Sequence, residues 1–203
     1  MRSFIVLLVL VLVSGCATEA PRPIPKHPGR IWARHRRRMQ AVTHFTLSAQ
    51  AGIRAARRGG SLMLRWVLMP QAYQMSGYGP FGRLVFRLRV NRQGAKLISE
   101  RGRFSGPSPS ALLTRLTGLR LPVAGLRFWI LGVPTPGVVT RQRISPWGLL
   151  TRLQQNGWFI RYRRYDRTPW GRLPRLLTLT RKAGPRGAPT LIVTIRIDRW
   201  QSA

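Results

Sequence analysis

Phe45-Thr46-Leu47-Ser48-Ala49-Gln50-Ala51-Gly52-Ile53 places an apolar residue at every second position with a small or polar one between. A period of two is the signature of a strand buried on one face only. The same alternation returns in Leu62, Leu64, Trp66 and Leu68, and in Leu84, Phe86, Leu88 and Val90 against Arg83, Arg87 and Arg89. Further strands are predicted at 73–78, 95–100, 138–144, 149–155, 158–165, 175–180 and 190–200. Closely spaced alternating strands make an antiparallel sheet with one apolar face, and the arginines sit mostly on the other. The exception is the stretch from Pro107 to Pro134. Ser108 can cap a helix with Pro109 in its first turn, Leu112, Leu113 and Leu116 spaced along one side, and Gly118 at its end. A second helix starts after Pro122, with Leu126, Trp129 and Ile130 as its stripe and Gly132 and Pro134 as its stop. Two helices inserted midway through a sheet lie naturally across its apolar face.

Upstream of the strands the chain reads differently. Arg2, the apolar run Phe4 to Val13 and the small residues before Cys16 fit a secretory signal, residues 1–15, cut ahead of a cysteine that then carries lipid. The run falls short of the roughly 20 apolar residues a membrane span needs. Residues 16–30 hold Pro21, Pro23, Pro25 and Pro28 and read as an extended tether from Cys16 to a single domain at 31–203. That domain opens with a short amphipathic helix from Ile31 to Val42 presenting Trp32, His35, Met39 and Val42. Cys16 is the only cysteine, which excludes disulfides and cysteine-based metal sites.

The charge is extreme: 36 Lys and Arg against 4 Asp and Glu give a formal net charge of +32. Lys26, Lys96 and Lys182 are the only lysines, so nearly all of it is arginine. Such a surface attracts polyanions, but an exported chain meets phospholipid and lipopolysaccharide phosphates rather than nucleic acid. Catalysis has little to work with. Glu19, Glu100, Asp166 and Asp198 are the only carboxylates, and His27, His35 and His44 all precede the first strand or stand at its edge. No metal-ligand spacing and no phosphate-cradling loop is present, so neither an enzyme nor a cofactor or metal is expected.

A sheet with one apolar face part-covered by helices accommodates either a greasy ligand or a closed core. From periodicity alone, Trp66, Trp129 and Tyr162 simply fill the core.

Particular motifs change that balance. In order they are Trp32-x-x-His35, Trp66, Pro80-Phe81-Gly82, Leu116-Thr117-Gly118, Pro122, Leu126-x-x-Trp129-Ile130-Leu131-Gly132-x-Pro134, Gln155-x-Gly157-Trp158, Tyr162-x-x-Tyr165, Leu173-Pro174 and Ile195-x-Ile197-x-x-Trp200. With this order and spacing the mature chain resembles the LolB family of outer-membrane lipoprotein receptors over nearly its whole length. The resemblance implies an open antiparallel half-barrel with a helical lid over an apolar cavity. It implies a non-enzymatic monomer on the periplasmic face of the outer membrane, anchored through Cys16 and without a cofactor. Such a protein accepts the acyl chains of lipoprotein cargo from the periplasmic carrier LolA and inserts the cargo among outer-membrane phospholipids. Phe81 would then be the residue at the tip of a membrane-inserting loop, Pro80 to Gly82, where the family usually has Leu. Trp66, Leu113, Leu126, Trp129, Ile130, Trp158 and Tyr162 would form the cavity or its lid. Ala17 after the cysteine, rather than Asp, favours the outer membrane.

The charge is not something the resemblance predicts. Few carboxylates and histidines mean little stability lost in acid, whereas arginines held against anionic headgroups would bind in a salt-sensitive way. The alternative function is a basic envelope lipoprotein that binds anionic lipid or lipopolysaccharide without transferring anything.

Overall fold

The computed structural model describes residues 24–56, 58–184 and 190–201. The signal segment, Cys16 and most of the tether lie outside the described residues.

Eleven strands form one antiparallel sheet: β1 Phe45–Ala55, β2 Arg58–Met69, β3 Ala72–Tyr78, β4 Leu84–Asn91, β5 Gly94–Ser99, β6 Gly102–Gly106, β7 Arg141–Ile144, β8 Leu150–Gln155, β9 Trp158–Thr168, β10 Gly171–Arg181 and β11 Leu191–Gln201. Their order is β6-β5-β4-β3-β2-β1-β11-β10-β9-β8-β7. The first six meander from the centre to one edge, and the last five return from the other edge to pair β11 with β1. β6 and β7 are therefore opposite free edges, and the half-barrel stays open. The segment joining them carries α2, Pro109–Thr117, and α3, Val123–Trp129, from one edge to the other. Both helices have buried residues on one side, Leu112 and Leu113 in α2 and Val123, Leu126 and Trp129 in α3, so the crossing runs over the inner face. Ser108 caps α2 by accepting from the backbone N–H of Ala111 at 3.2 Å, and Gly118 ends it at φ 72°.

Four of the differences from the sequence expectation have a clear physical reason. The first helix, α1, spans Pro28–Gln40, so its first turn takes Pro28 to Arg30 from the expected tether; proline preset for the first helical turn starts a helix as readily as it stiffens a linker. β6 has one apolar residue, Phe104, between glycines, and only pairing with β5 makes it a strand. β7 begins at Arg141 because the carbonyl of Val138 accepts from the side chain of Gln155 at 3.3 Å instead of joining the ladder. β10 runs back through Pro174 to Gly171, its proline sitting at a register shift where a missing N–H is tolerated.

The two ends of the sheet differ. At one end α1 packs on the turn before β8, where a Cβ on Gly148 would meet Ile31 at 2.8 Å, and Met39 is fully buried. An aromatic cluster fills the core near it, with Phe45 to Trp66 at 5.8 Å, Phe45 to Trp200 at 5.4 Å and Trp66 to Tyr73 at 5.9 Å between ring centroids. The turns β1/β2, β3/β4, β5/β6 and β8/β9 lie at the opposite end.

Candidate functional site

The inward residues of β1 shrink along the strand from Phe45 and Leu47 to Ala49 and Ala51. Across the ladder Ala51 stands opposite Leu62 on one side and Ile195 on the other. Where the side chains are large the core is solid. Where β1 supplies alanine, the sheet and the helices fail to meet, leaving an apolar cavity of about 330 Å³ between β1 to β4 and β11 below and α2 and α3 above. Ala51, Leu64, Met75 and Phe86 form its floor, and Leu113, Leu116, Val123 and Leu126 its roof. Its size falls in the ~300–1,000 Å³ range of small-molecule sites. Polarity enters only at the rim, through Ser99, Glu100 and Arg101 at the β5/β6 turn and Thr117 at the end of α2. The Arg101 guanidinium donates to the carbonyl oxygen of Leu116 at 2.9 Å, tying the last turn of α2 to the sheet.

Of the residues expected in the cavity or lid, Leu113 and Leu126 line it. Trp66, Trp129, Ile130, Trp158 and Tyr162 do not line it; they are 1–5% exposed and packed into the core, Trp129 as the last residue of the lid helix α3. Trp129 stacks near Trp158 at 6.5 Å and Tyr162 near Tyr165 at 6.1 Å. Burial raises the phenol pKa of both tyrosines, and Tyr165 donates its hydroxyl to the carbonyl of Leu150 at 2.8 Å. Large aromatic residues fill the core, whereas the cavity lies where the sheet supplies a small side chain. Ala51 carries the signal, as the small inward residue of the alternating stretch that lines the hollow.

The β3/β4 connection is a tight turn over Pro80–Gly82 on the same end of the sheet as the cavity rim. The N–H of Gly79 donates to the carbonyl of Arg83 at 2.8 Å, and Arg83 pairs with Glu100 at 3.0 Å, bracing the turn against the rim. At its tip Phe81 is 107% exposed, with φ 59° and ψ 22°. A phenyl ring wholly in water and a left-handed backbone at a non-glycine residue are both unfavourable, the latter by about 1–2 kcal/mol. Such an outlier points to function rather than packing. A ring folded back on the sheet, the ordinary role for a hairpin residue, is not what the turn provides.

Among the described residues no helix is long and apolar enough to cross a membrane. The model of the family described as Outer membrane lipoprotein LolB matches residues 43–200. The chain is 33% identical to the outer-membrane lipoprotein LolB of Pseudomonas paraeruginosa, covering 99% of this chain and 96% of that protein. It is 31% identical to the LolB of Chromohalobacter salexigens, over 98% and 90%. In fold it is similar to a LolA superfamily protein from Nitrosomonas europaea, TM-score 0.53 at 8% identity over 87% and 93% of the two chains. A DUF1329 family protein from Desulfovibrio piger is similar at TM-score 0.54 and 7% identity, over 89% and 93%. From its hollow-ended half-barrel to these full-length likenesses, the chain belongs to the LolB family of outer-membrane lipoproteins.

Proposed function

We propose that this protein accepts lipoproteins from the periplasmic carrier LolA by taking their acyl chains into the cavity beneath α2 and α3, and that Phe81 delivers them into the outer membrane to which lipid on Cys16 anchors the chain. The observation that carries this reading is the coincidence of two features at one end of the sheet. An apolar cavity with polarity only at its rim opens beside a fully exposed aromatic tip. Partitioning supplies the chemistry. Each CH₂ moved out of water is worth about 0.8 kcal/mol. An acyl chain passing between equally apolar sites changes little in free energy, so it can move in either direction without ATP. Phenylalanine at the tip suits the interface that the chain must cross.

The test is a soluble form lacking residues 1–16 mixed with carrier loaded with lipoprotein. Cargo should pass to this protein and cease to pass when Leu126 is made polar, while Phe81→Ser leaves receipt intact and slows insertion into vesicles. A folded protein that receives nothing would leave the envelope lipoprotein without transfer activity as the better account.

A further inference from the structure

Away from the cavity, the outer face of β7 to β9 carries a second organised feature. Strand register sets Arg143, Arg152 and Arg161 directly opposite one another on three neighbouring strands, and Arg141 and Arg163 follow on the same face two residues along. Adjacent strands lie about 4.8 Å apart, so the three form a closely spaced row. Like charges placed directly opposite across strands are unfavourable. No carboxylate of the described residues relieves them, because Glu100 is paired with Arg83, Asp166 with Arg175 and Asp198 with Arg196. All five arginines are exposed and line one shallow groove of about 470 Å³.

A repulsive array without internal counter-charge is balanced when anions fill it, and the planar guanidinium fork matches phosphate oxygens in pairs. The surroundings point to phosphate borne on lipid. Phe159 forms an apolar wall of the same groove at 40% exposure, with the Lys182 ammonium 5.6 Å from its ring centroid. An aromatic ring fringed by cations is the composition of a bilayer interface. Gln154 and Phe159, opposite each other, flank the β8/β9 turn, so the array reaches the end of the sheet from which Phe81 projects.

We propose that Arg141, Arg143, Arg152, Arg161 and Arg163 form a docking site for the phosphates of anionic phospholipid headgroups, seating the outer face of β7 to β9 against the membrane that carries the protein. This rests on the membrane location proposed above but not on cargo transfer. It makes the array a second contact in addition to Phe81, reaching the same end of the sheet with four strands between them.

The experiment uses the full-length lipidated chain with Gln154→Cys bearing an environment-sensitive dye, reconstituted into phosphatidylcholine vesicles with or without phosphatidylglycerol. The emission should move to shorter wavelength only when phosphatidylglycerol is present and return as sodium chloride rises. Replacing Arg152 and Arg161 with Gln should lower the ratio of docked to undocked protein by about thirtyfold, or roughly fivefold for each guanidinium removed. The double variant should melt no lower than the parent in detergent, since it loses repulsion and no internal partner. A shift equal in phosphatidylcholine alone, or one the double variant leaves unchanged, overturns the proposal. So does reversal by inorganic phosphate at constant ionic strength, which would assign the array to a free anion, or displacement of the vesicles by a DNA oligonucleotide. No carrier or cargo enters the measurement, so its failure leaves the receiving role untouched.

Discussion

The indole Nε1 of Trp129 donates to the side-chain oxygen of Gln155 across 3.2 Å. The same oxygen accepts from the backbone N–H of Thr135 at 2.9 Å, while the amide nitrogen donates to the carbonyls of Thr135 at 3.0 Å and Val138 at 3.3 Å. One fully buried amide on β8 thus fixes the last residue of α3 and the chain that follows it. The lid is pinned at this side by a network and at the α2 side by the hydrogen bond from Arg101 and the Arg115 guanidinium 4.7 Å from the Phe104 ring centroid.

Gln155→Leu keeps the bulk and orphans those partners. At about 1–3 kcal/mol for each buried polar group left unpaired, with partial relaxation, the variant should lose about 3 kcal/mol of unfolding free energy in a denaturant titration. A loss under about 1 kcal/mol would mean that the amide is not what holds α3.

Ala51→Phe tests whether the hollow is the acyl site. Its ring would enter the cavity floor, so the fold should keep its stability within about 1 kcal/mol or gain a little. Excluding as few as two methylenes from the cavity, at about 0.8 kcal/mol each, weakens capture of an acyl probe roughly tenfold. Unchanged capture by a folded variant would move the site elsewhere.

The segment leading to Pro28 joins the domain at the end opposite the aromatic tip. Pro28 abuts Gly148 at the β7/β8 turn, far from Phe81. The twelve peptide links from Cys16 to Pro28 reach roughly 40 Å when extended, and the eleven residues of β1 rise about 36 Å. For a domain standing on its hairpin end, that length only just lets the proposed lipid on Cys16 and the ring of Phe81 enter one membrane. Deleting residues 17–24 leaves a reach of roughly 13 Å. Insertion should then slow to the level of Phe81→Ser while receipt of cargo continues. Normal insertion by the shortened chain would show that Phe81 does not work on the membrane that holds the anchor.

His35 is the exception to a chain otherwise poor in acid-sensitive groups. Burial is the main cause that lowers its pKa below the usual 6.5; a hydrogen bond to the Leu131 backbone acts the other way, and Arg38 adds to the lowering. The unfolded chain therefore takes up the proton first. Stability is present above about pH 6.5 and is lost as pH falls from there toward the folded value. Because the described carboxylates sit in exposed pairs worth little, most of the early acid loss should belong to this residue. Melting temperatures near pH 7 and pH 5 should differ for the parent and converge for His35→Gln.

The strands were legible because alternation is a local property. Phe45 to Ile53, Leu62 to Leu68 and Leu84 to Val90 each announce which side chains turn inward, and Ser108, Pro109 and Gly118 mark a helix by residues that touch only their neighbours. β6 was not legible, since Gly102 to Gly106 carries a single apolar side chain and becomes a strand only beside β5. Nor was the role of Gln155, a polar residue whose four partners lie 17 to 26 positions away.

By itself the sequence determined a half-buried antiparallel sheet crossed by two helices, an aromatic hairpin tip and a surplus of outward arginine. Tertiary structure decided where the core is empty and which arginines stand together. A cavity is a difference between volumes contributed by strands distant in the chain: Ala51 leaves a hollow only because Leu62, Ile195 and Leu126 do not fill it. A charge row likewise exists only through register, since Arg143, Arg152 and Arg161 are unremarkable until pairing of β7, β8 and β9 sets them face to face.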